Sequence, residues 1–311
     1  VLGKLIEHLQ SRGYVTAKFD TSWCDTLSTR NICNCSPKDK TEEPVLTNEK
    51  DVNLLAAPYD WTVILSDQYK MEYFTHLKNL IEYTYKKENS PVIILSHSLG
   101  CNVISLFFNE FIDNNIDNPS EWKAKYINSW MPVSPPLGGS PNALKTCLSG
   151  DNEGMGVLCN AEIWKSQAAC DGWYQPVENQ AAGVLLCWPD DIALENLEIV
   201  KLEDGNGNVV KTYNTDTNPN NTTDGIGAAF ADAKFLPGTL FVGHSLYQTF
   251  KAYSETWATK KYNYKNPINC KSKMNQILYQ PPGVVVHAVY SSLTDKEDYD
   301  SFYALNKYTA D

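Results

Sequence analysis

Two rhythms of apolar residues run along the first half of this chain, one of helical and one of extended spacing. Leu2, Leu5, Ile6 and Leu9 recur on one helical face and Gly13 supplies a stop, which predicts an amphipathic helix over 2–12. Residues 17–50 are polar, mixed in charge and without sustained period, and read as a long surface insertion. Phe74, Leu77, Leu80, Ile81 and Tyr85 return to helical spacing over 69–85. Val92-Ile-Ile-Leu95 is a continuous apolar run, short enough for a strand buried on both faces. A helix is expected over 99–114, with Val103, Ile104, Leu106, Phe107 and Phe111 inward, and then a strand over 126–133 that ends at Pro135-Pro136. This succession is the rhythm of an α/β fold, a mostly parallel sheet with helices on its faces.

Beyond residue 138 the pattern loosens. Residues 138–240 are rich in Gly, Asn, Asp and Cys, with a hairpin expected over 197–212 that turns at Asp204-Gly-Asn-Gly207. Residues 246–257 fit a helix, and Gly283-Val-Val-Val-His-Ala-Val-Tyr290 reads as a second fully buried strand. Val1 opens inside the first helical pattern, as the start of a fragment or a processed product would.

Composition narrows the function classes. A chain of 311 residues with 42% apolar content can bury one large domain. Its net charge of -11, with no Lys/Arg-rich run, excludes a nucleic-acid footprint. That charge also leaves membrane contact to apolar and aromatic loop residues rather than to a basic patch. Nine cysteines are many for a cytosolic chain without a metal, yet Cys33-x-Cys35 has no second pair at zinc spacing. Cys24, Cys33 and Cys35, and then Cys147, Cys159, Cys170 and Cys187, fall in irregular stretches like the staples of a secretory-pathway protein, their pairing open. Cys101 reads instead as a small buried apolar residue. Asn220 and Asn221 head two overlapping N-x-T sequons, fitting a lumenal or extracellular loop. No stretch approaches the run of about eighteen apolar residues that a transmembrane helix needs.

One segment carries chemistry. Val92-Ile-Ile-Leu-Ser-His-Ser-Leu-Gly100 runs an apolar strand into Ser96-x-Ser98-x-Gly100 and then into a helix, the strand–turn–helix context of a nucleophile elbow. The turn is so tight that positions two before and two after the nucleophile must be small, as Ser96 and Gly100 are. Ser98 then stands at a helix N-terminus, and the backbone N–H of Leu99 points where the oxyanion of a tetrahedral intermediate would form. The structural alternative is that Ser98 is an N-cap for the helix. His97 supports the turn rather than serving as base. His8 and His76 read as surface or helix-packing residues, His287 as a core histidine, and His244 has no recognisable support, so none is assigned as base.

Ordered segments along nearly the whole chain resemble the family of lecithin-cholesterol acyltransferase, lysosomal phospholipase A and phospholipid:diacylglycerol acyltransferase. They are Ala57-Pro-Tyr-Asp-Trp61, Ser96-His-Ser-Leu-Gly100, Trp122-Lys-Ala-Lys-Tyr-Ile127, Pro136-Leu-Gly-Gly-Ser140 and Leu148-Ser-Gly-Asp-Asn152. Trp188-Pro-Asp, Pro282-Gly-Val and Asp300-Ser-Phe-Tyr303 are similar to further family segments. The resemblance implies an α/β-hydrolase fold: a core over 1–137 with the 17–50 insertion, a lid or cap region over 138–240, and a return to the core over 241–311. It implies acyl transfer from a phospholipid through an acyl-enzyme on Ser98, with a lipid alcohol of sterol or diacylglycerol type, or water, as acceptor. No metal or organic cofactor is implied.

The implied partners are phospholipid, a lipid acyl acceptor, and a membrane or lipoprotein surface, and the implied location is the secretory pathway. The family's catalytic Asp and His are expected after Asp311, and its second oxyanion donor before Val1. Residues 153–187 resemble the mobile lid, where Trp164, Trp173 and Tyr174 either dip into a lipid surface or pack a stapled loop. Asp60 is expected to brace the site, and Asp151 and Asn152 to cap a turn. The alternative is a non-catalytic lipid-binding homologue that keeps the elbow and lacks the Asp and His.

Overall fold

The computed structural model describes residues 2–16, 52–61, 64–65, 67–144, 182–189, 197–204, 206–216, 223–226, 228–229, 276–290 and 303–308. The chain divides into two compact units, Val1–Pro58 with Lys86–Asn89, and Tyr59–Tyr85 with Ser90–Asp311. The expected helix over 246–257, all of 17–50, most of 138–187, and the cysteines other than Cys101 and Cys187 lie outside the described residues.

In the first unit α1 spans Leu2–Ser11 and stops where expected, with Gly13 at φ 94°. Thr16 bridges Leu54 in parallel, and the Asn53 and Leu54 N–H groups both donate to the Val15 carbonyl at 3.1 and 3.0 Å. Parallel neighbours cannot be joined by a tight turn. The stretch read as a surface insertion is therefore also the connection between two parallel segments.

The second unit is a mixed helix and strand structure with a small parallel sheet. The helix α2 is Asp67–Glu88, of which all but the last three residues belong here, and it buries Phe74, Leu77 and Ile81 at the expected spacing. Strand β1, Val92–His97, pairs in parallel with β2, Ile127–Val133. Between them run α3, Leu99–Leu106, a π-helical turn Phe107–Ile112 and a last short turn α4, Asp113–Asn115. Asn114 and Asn115 donate to the carbonyls of Glu110 and Phe111, satisfying groups the helix end leaves open. Helix α5, Pro119–Tyr126, follows, an element the apolar pattern did not reveal, since only Trp122 and Lys123 of it are buried. Its local signature was present, with Asn118 at the cap and Pro119 at the first position.

An aromatic cluster joins these helices to the sheet. Phe74 meets Phe107 and Phe111, Phe107 meets Trp122, and Phe108 meets Trp130 of β2. Ile94 of β1 and Trp130 of β2, register partners, are both buried. Here the expectation of a strand buried on both faces is corrected. Ile94 and Ser96 are buried, whereas Ile93 is 55% exposed and Leu95 is exposed with it. A run of four apolar residues cannot say which faces will be covered; only the packing partners decide that.

The 283–290 run does extend the sheet in parallel beyond β2. Trp130 N–H donates to Val285 O at 2.8 Å, His287 N–H to Trp130 O at 2.9 Å, and Ser134 N–H to Val289 O at 2.8 Å. It is not fully buried as expected: Val285 is 58% exposed, and Val286, Val289 and Tyr290 are exposed too. His287, read as a core histidine, is exposed for the same reason, since among the described residues nothing covers this outer position.

The hairpin stands where the pattern put it, as β3 Glu198–Asp204 and β4 Val209–Asn214, with Gly207 at φ 83° in the turn. Strand β5, Tyr303–Tyr308, pairs in parallel on the other side of β3. No helix among the described residues is long and apolar enough to cross a membrane.

Lys70 of α2 and Glu110 of the π-helical turn form an ion pair at 2.8 Å with both side chains almost wholly buried. Removing one partner breaks a buried ion pair and takes the 2.8 Å counter-ion from a desolvated charge, so Glu110→Ala is expected to cost about 3–5 kcal/mol in denaturant unfolding. The double replacement Lys70→Met with Glu110→Leu should recover most of that loss; equal losses in the single and double variants would refute this account.

Candidate active site at the end of β1

β1 leads directly into Ser98, and α3 begins at Leu99. Ser98 sits at φ 52° and ψ -130°, a left-handed φ that non-glycine residues rarely adopt. Its backbone N–H donates to Val133 O at 3.0 Å and its carbonyl accepts from Cys101 N–H at 2.8 Å, so both sides of the strained residue are held. Ser98 occupies the cap position of α3, yet its hydroxyl makes no capping hydrogen bond. The N-cap alternative therefore does not account for this side chain. Leu99 takes the first helical position of α3. Gly100 is close beneath Tyr59: a Cβ there would lie 3.8 Å from the phenol oxygen, in ordinary contact.

Ser96 is more than small. It is buried, accepts the Trp130 indole N–H at 2.8 Å and donates to Cys101 Sγ at 3.2 Å. Cys101 Sγ in turn lies 3.6 Å from the Val133 carbonyl, the group that also holds Ser98 N–H. Sequence reasoning found the need for a small residue at 96 and missed this relay; the signal for it was an indole in the strand that neighbours the elbow.

Burial pushes the Cys101 thiol upward from its ordinary 9.0, more strongly than the hydrogen bonds from Ser96 and to Val133 pull it down. Burial likewise raises Tyr59, with Cys187 and Cys101 adding to it, and raises Tyr73, with Tyr59 and Tyr69 adding. Cys101 is a buried thiol, as its place on the apolar face of α3 predicted. Cys187, grouped with the loop staples, is buried next to Trp188 in the core.

The loops around the elbow are pinned to it. Asn102, on α3, donates to Leu186 O at 2.7 Å and to Pro136 O at 3.2 Å. Gly183 N–H donates to Trp61 O at 2.9 Å, and a Cβ on Gly183 would collide with that same carbonyl oxygen. Gly139, at φ 91°, packs so closely on Trp188 and Pro189 that any side chain would be expelled. Asn102, Ser105 and Asn109 form a buried polar stripe; the last two bind Leu278 O, Ile277 O and Gln280 O, fastening the segment before 283–290. The amides on an otherwise apolar helical face were the legible trace of this stripe.

Asp60 reaches the site's surroundings through its backbone, which donates to the Tyr69 hydroxyl at 2.6 Å. His8 and His76 are exposed on α1 and α2, in line with the surface reading. His244, Trp164, Trp173, Tyr174, Asp151, Asn152, Asn220 and Asn221 lie outside the described residues. No group of three or more potential metal ligands gathers among the described residues.

Parallel strands, a strained serine between strand and helix, and loops clamped around it define a mixed α/β protein with one built turn. The chain belongs to the lecithin:cholesterol acyltransferase family, whose model matches residues 46–307. It is similar to mouse phosphatidylcholine-sterol acyltransferase, 31% identical over 144 residues, which is 46% of this chain and 29% of the mouse protein. It is also similar to bovine lysosomal phospholipase A and acyltransferase, 32% identical over 130 residues, 41% of this chain and 30% of the bovine one. The matched stretch thus spans under a third of the length of either relative. Among solved structures, a Tle4–Tli4 complex chain aligns over 80% of this chain and 48% of its own, at 15% identity and a TM-score of 0.43.

Two outcomes follow from this site. Ser96→Ala leaves the buried Trp130 indole N–H without its acceptor, an expected loss of about 1–3 kcal/mol by denaturant unfolding. An unchanged midpoint would show that the relay contributes nothing. In the alkaline range, unfolded Cys101, Tyr59 and Tyr73 lose protons before their folded counterparts do. Their contribution is therefore full below the ordinary thiol value of 9.0 and lost as pH rises above it. Thermal melts should fall steadily above that pH, and Tyr59→Phe should flatten the fall; an identical alkaline slope in the variant would contradict the assignment.

Proposed function

We propose that this chain carries the nucleophile of a lipid acyltransferase or phospholipase with the α/β-hydrolase fold. The observation that carries the reading is Ser98 itself, held at a positive φ between strand and helix with its hydroxyl unused for capping. Strain of this kind persists only where the surroundings impose it, and it aims the hydroxyl out of the sheet edge. Ser98 Oγ attacks the acyl carbonyl of a phospholipid and gives up its proton to a base. The Leu99 N–H, at the positive end of α3, stabilises the oxyanion. The lysolipid leaves with a proton, and the acyl-enzyme passes its acyl group to a lipid alcohol, of sterol or diacylglycerol type, or to water.

Membership of the family, and the names of the mouse and bovine relatives, support a phospholipid donor. Residues 138–240 are the lid or cap of this reading, with 1–137 and 241–311 as its core, and the secretory pathway with disulfides and glycosylation is its setting. A membrane or lipoprotein surface presents the substrate.

A second reading, a lipid-binding homologue without catalysis, is favoured by one observation: no described histidine is hydrogen-bonded to Ser98. Labelling with a fluorophosphonate separates the two. Wild-type protein, with and without phospholipid vesicles, should become labelled and Ser98→Ala should not. A folded wild type that stays unlabelled under both conditions establishes the binding homologue instead.

A further inference from the structure

We infer that the Ser134 hydroxyl is a substrate contact beside Ser98, binding oxygens of the alcohol part of the ester, an inference that rests on the acyl-transfer reading of Ser98. The two serines hold equivalent places on neighbouring strands. His97 and Val133 are register partners at the ends of β1 and β2, and Ser98 and Ser134 are the next residue after each. Ser98 N–H donates to Val133 O at 3.0 Å, and Ser134 N–H makes the same bond one strand over, to Val289 O at 2.8 Å. Both have a left-handed φ, 52° at Ser98 and 48° at Ser134, which among the described non-glycine residues only Asn89 shares. Such a conformation costs free energy and persists only where its surroundings impose it.

Neighbouring parallel strands lie about 4.8 Å apart, so the register puts the Ser134 backbone within one strand spacing of the nucleophile's. Both residues are exposed, and the Ser134 hydroxyl, like that of Ser98, makes no hydrogen bond to a described residue. Ligands of open α/β sheets bind outside the carboxyl ends of the strands, which is the edge the two serines share. Ester chemistry decides what this second hydroxyl can do there. A hydrocarbon chain offers it no partner, and the carbonyl oxygen is met by the Leu99 N–H in the acyl-transfer reading. What remains are the oxygens of the alcohol part, which in a phospholipid are the ester and phosphate oxygens on the glycerol backbone. Glycine would hold this backbone conformation without strain, so a residue needed only for the turn has no use for the hydroxyl.

The test compares wild type, Ser134→Gly and Ser134→Ala in the full chain. It reads the denaturant midpoint, labelling by a small fluorophosphonate, and kcat/KM for dihexanoylphosphatidylcholine and for p-nitrophenyl butyrate. Ser134→Gly removes the hydroxyl and relieves the backbone, so its midpoint should not fall. Ser134→Ala removes the hydroxyl and keeps the strain, and the glycine variant decides the matter alone if the alanine variant does not fold. Labelling of Ser98 should persist in both variants, while the phospholipid-to-butyrate ratio of kcat/KM falls about three- to tenfold, the scale of one neutral hydrogen bond. An unchanged ratio, a fall in Ser134→Ala alone, a fall accompanied by a lower Ser134→Gly midpoint, or loss of labelling in the variants overturns the inference and leaves the acyl-transfer reading intact. A wild type that neither labels nor cleaves either ester overturns that reading and this inference together.

Discussion

The parallel pairing of β1 with β2 is the constraint on which the rest of the second unit depends. Its register sets His97 beside Val133, so the last carbonyl of β2 is available to the first residue beyond β1. That carbonyl accepts the Ser98 N–H and lies next to the Cys101 sulfur, holding an unfavourable backbone conformation in a tight space. A single residue's slip of register would move Val133 out of reach and turn Trp130 away from Ser96. Strain at Ser98, burial of Ser96 and the start of α3 are thus consequences of one strand pair.

From that pair the organisation spreads outward by hydrogen bonds from one helix. Asn102, Ser105 and Asn109 are buried, and each donates to main-chain carbonyls of short helical turns, Leu186 of the 3-10 helix Ala182–Cys187 and Ile277 and Leu278 of the turn at 276–278. Buried amides are costly unless paired, so they act where they specify position. The π-helical turn at 107–112 belongs to the same design: it carries Asn109 and Glu110, and extends the helix toward its Asn114 and Asn115 end. Opposite this polar stripe, the Phe74, Phe107, Phe111 and Trp122 cluster supplies the apolar cohesion.

The two close glycine contacts show how tightly the loops are set. Gly139 and Gly183 each occupy a place where backbone meets backbone and no Cβ fits, one against Pro189 and one against Trp61. Such contacts tie the stretch after β2 to the strip at 182–189 and tie that strip to the 59–61 segment of the same unit.

The sequence by itself determined the local elements and the turn. Helical spacing announced α1, α2 and α3, the Asp-Gly-Asn-Gly run announced the hairpin, and Ser96-x-Ser98-x-Gly100 after an apolar run announced the strand–turn–helix at Ser98, because these features are set within a few residues by periodicity and turn sterics. Tertiary structure decided which faces of β1 and of 283–290 are covered, that Ser96 is a hydrogen-bond partner as well as a small residue, and that Asn102 clamps two loops. Those depend on neighbours tens of residues away, such as Trp130 for Ser96 and Leu186 for Asn102, and a period along the chain carries no record of what packs across it.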